Sequence, residues 1–398
     1  MAYINIERNK MKKFISILII TASLYGGWFF IPWGYWTFQD GGVGVLYTQG
    51  TYEKFGWDID ARMSGAGDYW LEGNLDFNLF GQGTEITAEF VSDSIEKDYR
   101  KPDAIESEAA GDTIQQYPSY KAKEFSIYLK QNFNVGPSQK FYLFAGYKTG
   151  EYLSDYKFVP TEGQVPGEET RVAEAIDAGF EFSMDSRDDP ENPETAFYFG
   201  IKLGALHFPN AEEENFDYLR TTQLQDETKA FSKTTGYIKL DQRLYGKLQI
   251  DEVPFPLILA LRISAGHHFT DVPQLVAFKG GEHDFLRGMD QCHIMGQSFY
   301  LMSGELRAQV WEESYTPLVL LHWLIPGYEN PRPILEVAPI VEAGRVYSQY
   351  LGDDEKQYMT FGLGFRWIFT DYTVMRYDFA YCPALETWGA YFSFKPSI

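Results

Sequence analysis

Cysteine is nearly absent: the 398 residues contain two, Cys292 and Cys382. So few, so far apart, exclude a disulfide scaffold and a CxxC redox or zinc pattern, and leave one bridge or none. Positive charge is also scarce, with 34 Lys and Arg against 56 Asp and Glu, a formal net charge of -22. A surface that neutralises phosphates is therefore missing, and nucleic acid is not an expected partner. No apolar run reaches the roughly 20 residues of a spanning helix. The nearest internal run, residues 317–326, is bounded by proline and broken by His322, and reads as a short buried or interfacial piece. Catalytic signatures are lacking too: there is no nucleophile elbow, no H-E-x-x-H pair and no Ser and His in plausible register. The six histidines show no ligand spacing, and His267 and His268, adjacent in a strand, would point to opposite faces. Neither an enzyme nor a metal or other cofactor is expected.

Aromatic residues, by contrast, make up 17% of the chain, while the mean hydropathy is -0.31. A soluble globule would hide that much aromatic surface in a core. A barrel with an apolar outside and a wet inside reconciles the two numbers. At the N-terminus, Met11-Lys12-Lys13 precedes an apolar run over residues 14–24, with small residues at Ala22, Ser23 and Gly26. This is the layout of a secretory signal. Residues 1–24 are expected to be removed, and residues 25–398 to form one barrel.

Along the rest of the chain the dominant pattern has period two. Leu71, Gly73, Leu75, Phe77 and Leu79 alternate with Glu72, Asn74, Asp76 and Asn78. Ile176, Ala178, Phe180, Phe182 and Met184 alternate with Asp177, Gly179, Glu181 and Ser183. Phe361, Leu363, Phe365, Trp367 and Phe369 alternate with Gly362, Gly364, Arg366 and Ile368. Strict alternation means strands with one apolar and one polar face. Charges of both signs on the polar face, aromatics on the other, and segments near ~9–11 residues predict an all-β, transmembrane antiparallel β-barrel of 16 strands, with 14 as the alternative. The ambiguity lies before residue 50, where residues 27–38 are either the first strand or a lead-in. Polar stretches over residues 93–120, 154–170 and 209–228 fall on one side, as outer loops should. Two features resist the scheme: a long connection over residues 312–333 on the other side, and Pro339 inside a strand, which is expected to mark a bulge.

One outer connection is overdressed. Between strands over residues 257–268 and 298–311 it carries Gly280-Gly281 and then Phe285-Leu286-Arg287-Gly288-Met289. This resembles the sixth-loop V/I/L-R-G-F/Y signature of the bacterial surface antigen family, the BamA-like and TamA-like outer-membrane assembly and translocation barrels. Other marks follow in order: Ser303-Gly304-Glu305-Leu306-Arg307 resembles the E-L-R strand, Val341-Glu342-Ala343-Gly344 the F-x-D-x-G strand, Gly362-Leu363-Gly364-Phe365-Arg366 the G-x-G-x-R strand, and Arg376-Tyr377-Asp378-Phe379 the penultimate strand. Met289 replaces the usual aromatic, and the chain does not close on one. The resemblance covers residues 278–394.

The resemblance implies a sixth outer loop folded into the lumen, where Arg287 would pair with acidic groups on inward faces of neighbouring strands, Glu342 first and another inward acid as a second candidate. Gly280, Gly281 and Gly288 would shape the loop's path, and Glu305, Arg307, Glu336, Arg366, Arg376 and Asp378 would form a polar network on the wall. The alternation independently puts Glu336, Glu342, Arg366 and Asp378 on polar faces. The family's receptor domains (POTRA) are not expected in this chain. The implied role is non-enzymatic: assisting insertion or translocation of protein or lipid at the outer membrane of a Gram-negative bacterium. Expected partners are outer-membrane lipid and lipopolysaccharide, client proteins or a separate receptor subunit, for a monomeric barrel. The alternative is a passive pore or a structural surface barrel.

Overall fold

Alternating side chains need a sheet with two different surroundings, and the chain builds one. The computed structural model describes residues 29–37, 41–52, 55–64, 69–79, 82–95, 118–156, 168–187, 194–211, 232–250, 253, 255–280, 286–289, 294–312, 334–349, 357–370 and 373–393. These contain seventeen strands in a single sheet. The first nine are β1 (Phe29–Thr37), β2 (Gly41–Tyr52), β3 (Phe55–Ser64), β4 (Tyr69–Leu79), β5 (Gln82–Ile95), β6 (Pro118–Gly136), β7 (Gln139–Tyr156), β8 (Glu168–Asp185) and β9 (Ala196–His207). There follow β10 (Thr234–Leu248), β11 (Leu257–His268), β12 (Phe278–Gly280), β13 (Ile294–Glu312), β14 (Ile334–Gln349), β15 (Tyr358–Thr370), β16 (Thr373–Cys382) and β17 (Thr387–Ser393). A 3-10 turn at Gln274–Val276 precedes β12.

Each strand pairs antiparallel with its chain neighbour, except that β11 pairs with β13 and the three-residue β12 adds to the outer end of β13. Setting β12 aside leaves sixteen wall strands, and β1 and β2 settle the question of the residues before 50. At the two ends of the sheet, β1 and β17 lie side by side with Cα atoms within 8 Å. Among the described residues no ladder joins them.

The two faces are as different as the alternation requires. On β15, Met359, Phe361, Leu363, Phe365 and Trp367 are exposed, whereas Thr360, Gly364, Arg366 and Ile368 between them are buried. On β11, Leu259, Leu261 and Ile263 face out, and Ile258, Ala260 and Ser264 face in. A single sheet has no second layer to cover such an outer face, and the hydrocarbon of a membrane does so without cost. No described helix is long and apolar enough to cross a membrane; the crossing elements are strands. Leu363→Arg, in the middle of an outward row, should therefore destabilise the barrel by about 2–4 kcal/mol if it sits near the bilayer midplane. Urea unfolding of the protein in lipid vesicles reads that loss directly.

The structure departs from the sequence reading in two places. Pro339 marks no bulge: it pairs with Leu363 in an unbroken β14–β15 register. Its missing N–H is instead felt on the other side, where the β13–β14 pairing lapses between Glu305↔Ile340 and Ala308↔Val337 and resumes without a shift. The bulge in that pair lies nearer the strand ends, between Gln309 and Trp311. Second, several strands run well into stretches read as loops: β5 continues to Ile95, β6 begins at Pro118, β7 reaches Tyr156 and β8 begins at Glu168. Polar residues on both faces erase the alternation once a hairpin leaves the membrane, but backbone pairing persists there in water. The connection over residues 313–333, with its apolar run, lies outside the described residues.

Candidate functional site

The sixth outer connection, between β11 and β13, turns inward and is anchored on opposite walls. Its leading half places Val272, Leu275 and Ala277 against Ala173, Ala175, Leu206 and Phe208 on the β8 and β9 side. Phe278 then packs between His268 and Phe299, with ring centroids 4.5 and 4.7 Å away. Lys279 Nζ reaches Glu124 Oε1 on β6 at 2.5 Å, although β12 itself is paired with β13. The loop thus bridges the lumen.

Its tip, residues 286–289, is buried against β13 to β17. Arg287 is fully buried, and its guanidinium meets three strands. Nε and Nη2 donate to Glu342 Oε1 on β14 at 3.0 and 2.7 Å. Nη1 donates to Glu305 Oε1 on β13 and to Asp378 Oδ2 on β16, both at 2.9 Å. Nη2 also reaches Ser303 Oγ at 3.2 Å, and the backbone N–H of Arg287 donates to Glu342 Oε2 at 2.7 Å. Burial alone would lower the arginine's pKa; the Glu342, Asp378 and Glu305 carboxylates outweigh it and hold the pKa above its ordinary value.

Below the tip the network continues toward the inner end of the barrel. Glu305 also pairs with Arg376 Nη2 at 2.7 Å, with Arg307 Nε at 3.5 Å, and with Arg366 Nη2. Arg376 Nε meets Asp378 Oδ2 at 2.6 Å, and Gln309 Nε2 donates to Glu336 Oε1 at 3.3 Å. Four arginines (287, 307, 366, 376) and four carboxylates (305, 336, 342, 378) are each at most 2% exposed, so the cluster is formally neutral. Charges buried this deeply persist only when paired and hydrogen-bonded.

The structure thereby brings Arg287, Glu342, Glu305, Arg307, Glu336, Arg366, Arg376 and Asp378 into one buried cluster, with Gly288 beside it. Gly280 sits apart, at the end of β12 opposite Ile294, and Gly281 lies outside the described residues. Sequence reading missed several partners. Ser303 and Thr360, whose hydroxyls reach Glu342, lie two residues from Glu305 and Gly362 on the same faces, so period two could have found them. Thr387 and Tyr391 on β17 carried no motif. Leu286 holds a φ of 61°, a left-handed conformation uncommon for a branched side chain, while its side chain is buried with Met289, Phe299, Leu301 and Val346. Cys382 is fully buried in that cluster, and Cys292 lies outside the described residues. Among the described residues no group of three or more His, Cys, Asp or Glu is placed to hold a metal.

Gly288 is the tightest point of the tip. Its φ is 92°, and a Cβ there would stand 2.9 Å from the Ala380 carbonyl carbon. Gly288→Ala therefore combines left-handed strain, about 1–2 kcal/mol, with a backbone clash that pushes the tip off β16. A lower urea midpoint and a loosened tip in limited proteolysis are expected.

No family model matches the chain, and no curated protein does. Solved structures do. BamA from Haemophilus ducreyi lacking POTRA domains 1-3 aligns over 92% of this chain and 69% of its own, with a TM-score of 0.54 at 12% identity. CdiB from Escherichia coli aligns over 92% of this chain and 61% of its own, with a TM-score of 0.56 at 8% identity. The fold is that of the BamA and CdiB outer-membrane barrels. CdiB from Acinetobacter baumannii agrees, with a TM-score of 0.51 at 9% identity over 92% of this chain and 58% of its own. At these identities the likeness is one of fold, and the chain spans about three fifths of each CdiB chain.

Proposed function

We propose that this chain is a non-enzymatic outer-membrane barrel of the bacterial surface antigen kind, which helps to insert or translocate protein or lipid at the outer membrane of a Gram-negative bacterium. In this reading Arg287 and Gly288 latch the sixth loop to the lumen wall through Glu342, Glu305 and Asp378. The observation that carries the proposal is the meeting of β1 and β17, with no ladder between them among the described residues, beside a lumen bridged by a loop that is tied to β17. An unpaired strand edge is a template for another strand, so an incoming chain can pair there. The bridging loop counts against a passive pore, which would leave the lumen open. The partners this implies are outer-membrane lipid with lipopolysaccharide, a client chain, and a receptor subunit where one is needed.

The test is a reversible seam lock. One cysteine placed in β1 and one in β17, in a background lacking Cys292 and Cys382, are oxidised in proteoliposomes. Refolding of an added, urea-unfolded outer-membrane barrel protein is then timed. Acceleration over protein-free liposomes that vanishes on oxidation and returns on reduction supports the proposal. Steady conductance in planar bilayers with no effect on refolding supports the pore.

A further inference from the structure

We propose that the tip of loop six is a clamp on the last strand, formed by Tyr391 and Thr387, so that the position of the loop in the lumen and the freedom of β17 at the seam are coupled. This goes beyond the transport reading above and holds whatever the barrel moves.

The starting point is the exposed position of β17. It is seven residues long and, among the described residues, is paired with β16 alone. A further tie runs inward. Alternation turns Thr387, Gly389 and Tyr391 toward the lumen, with Trp388 exposed outside. The Tyr391 hydroxyl accepts from the Gly288 N–H at 2.9 Å and donates to the Met289 carbonyl at 2.7 Å. Thr387 Oγ1 donates to the Gly288 carbonyl at 2.7 Å. All three bonds end on the two residues that follow Arg287. The partners described for the guanidinium lie on β13, β14 and β16, which thereby fix Gly288 and Met289 over the last strand.

Gly389 makes this geometry possible. A Cβ at that position would stand 2.3 Å from the Tyr391 hydroxyl, so the phenol lies back along its own strand across the space the glycine leaves open. Any larger residue there displaces the hydroxyl while leaving it chemically intact. Coupling of this kind is reciprocal: whatever withdraws the tip frees β17, and whatever draws β17 away loosens the tip. Gly389 and Tyr391 are in this sense positioning residues for the seam.

Hydrogen exchange of the whole protein in lipid nanodiscs tests the clamp. Tyr391→Phe removes two of the three bonds and should speed exchange over residues 387–393 by roughly tenfold, from typical hydrogen-bond contributions. Residues 334–347 of β14 should be unchanged. Gly389→Ala should act in the same way although the hydroxyl is retained, and Arg287→Lys should speed exchange in β17 without touching it. The proposal is overturned if Tyr391→Phe and Gly389→Ala leave residues 387–393 at the wild-type rate. It is equally overturned if Arg287→Lys loosens β13 and β14 but not β17.

Discussion

Arg287→Ala should cost about 3–5 kcal/mol of barrel stability, the usual penalty for removing one member of a buried ion cluster. The size follows from what is left behind. Glu342, Asp378 and Glu305 are each at most 2% exposed and would lose a cation that meets all three. Urea unfolding in vesicles should show a lower midpoint, and heat-modifiable gel mobility a smaller compact fraction. Arg287→Lys should fall in between, because an ammonium is a point charge and cannot fork to Glu342 while reaching the other two. A charge swap of Arg287 with Glu342 should not rescue: a glutamate at 287 would face Glu305 and Asp378 from the same place. An isolated Arg287–Glu342 pair would be rescued by the swap, so the difference is itself measurable.

Glu305→Gln should be comparably damaging, by about 3–5 kcal/mol. Four guanidiniums converge on this carboxylate, and the substitution would shift the neutral cluster to an excess of one positive charge. The Arg366→Gln change in the same background removes that excess and should recover part of the loss. A double-mutant cycle between the two positions should give a coupling at the upper end of the ~0.5–3 kcal/mol range for contacting residues. A near-zero coupling would mean that Glu305 and Arg366 do not share the contact described above.

Such clusters are poor sources of net stability, since well-packed apolar residues often do as well. Their physical distinction is reversibility. A loop held by ion pairs can be exchanged for water and counter-charges when it moves, whereas an apolar plug would expose hydrocarbon. That property suits the coupling of loop six to the last strand proposed above.

Much of the wall was legible because a membrane barrel writes its two environments into alternate residues. Met359 to Trp367 show this on β15, where every second side chain is apolar and exposed. Glu336, Glu342, Arg366 and Asp378 were legible on inward faces for the same reason, and short motifs in a consistent order added Arg287, Glu305 and Arg307. What was not legible depends on three-dimensional neighbours. The convergence of Arg287 on three strands is a matter of register, Ser303 opposite Glu342 for example, and no local pattern encodes register between distant strands. The tie from Tyr391 to the loop tip joins positions 102 and 103 residues apart. Pro339 was misread because its local chemistry, a missing donor, can be absorbed by a gap in pairing as well as by a bulge.

The tip of loop six lies inside the lumen, buried against β13 to β17. This placement is tested most directly with Met289→Cys in a background lacking Cys292 and Cys382, exposed to a membrane-impermeant maleimide from the outside. Met289 is fully buried, so essentially no labelling is expected in the folded barrel, and rapid labelling once Arg287→Ala is added. Labelling of the single cysteine at the rate of the unfolded protein, with Arg287 intact, would contradict it.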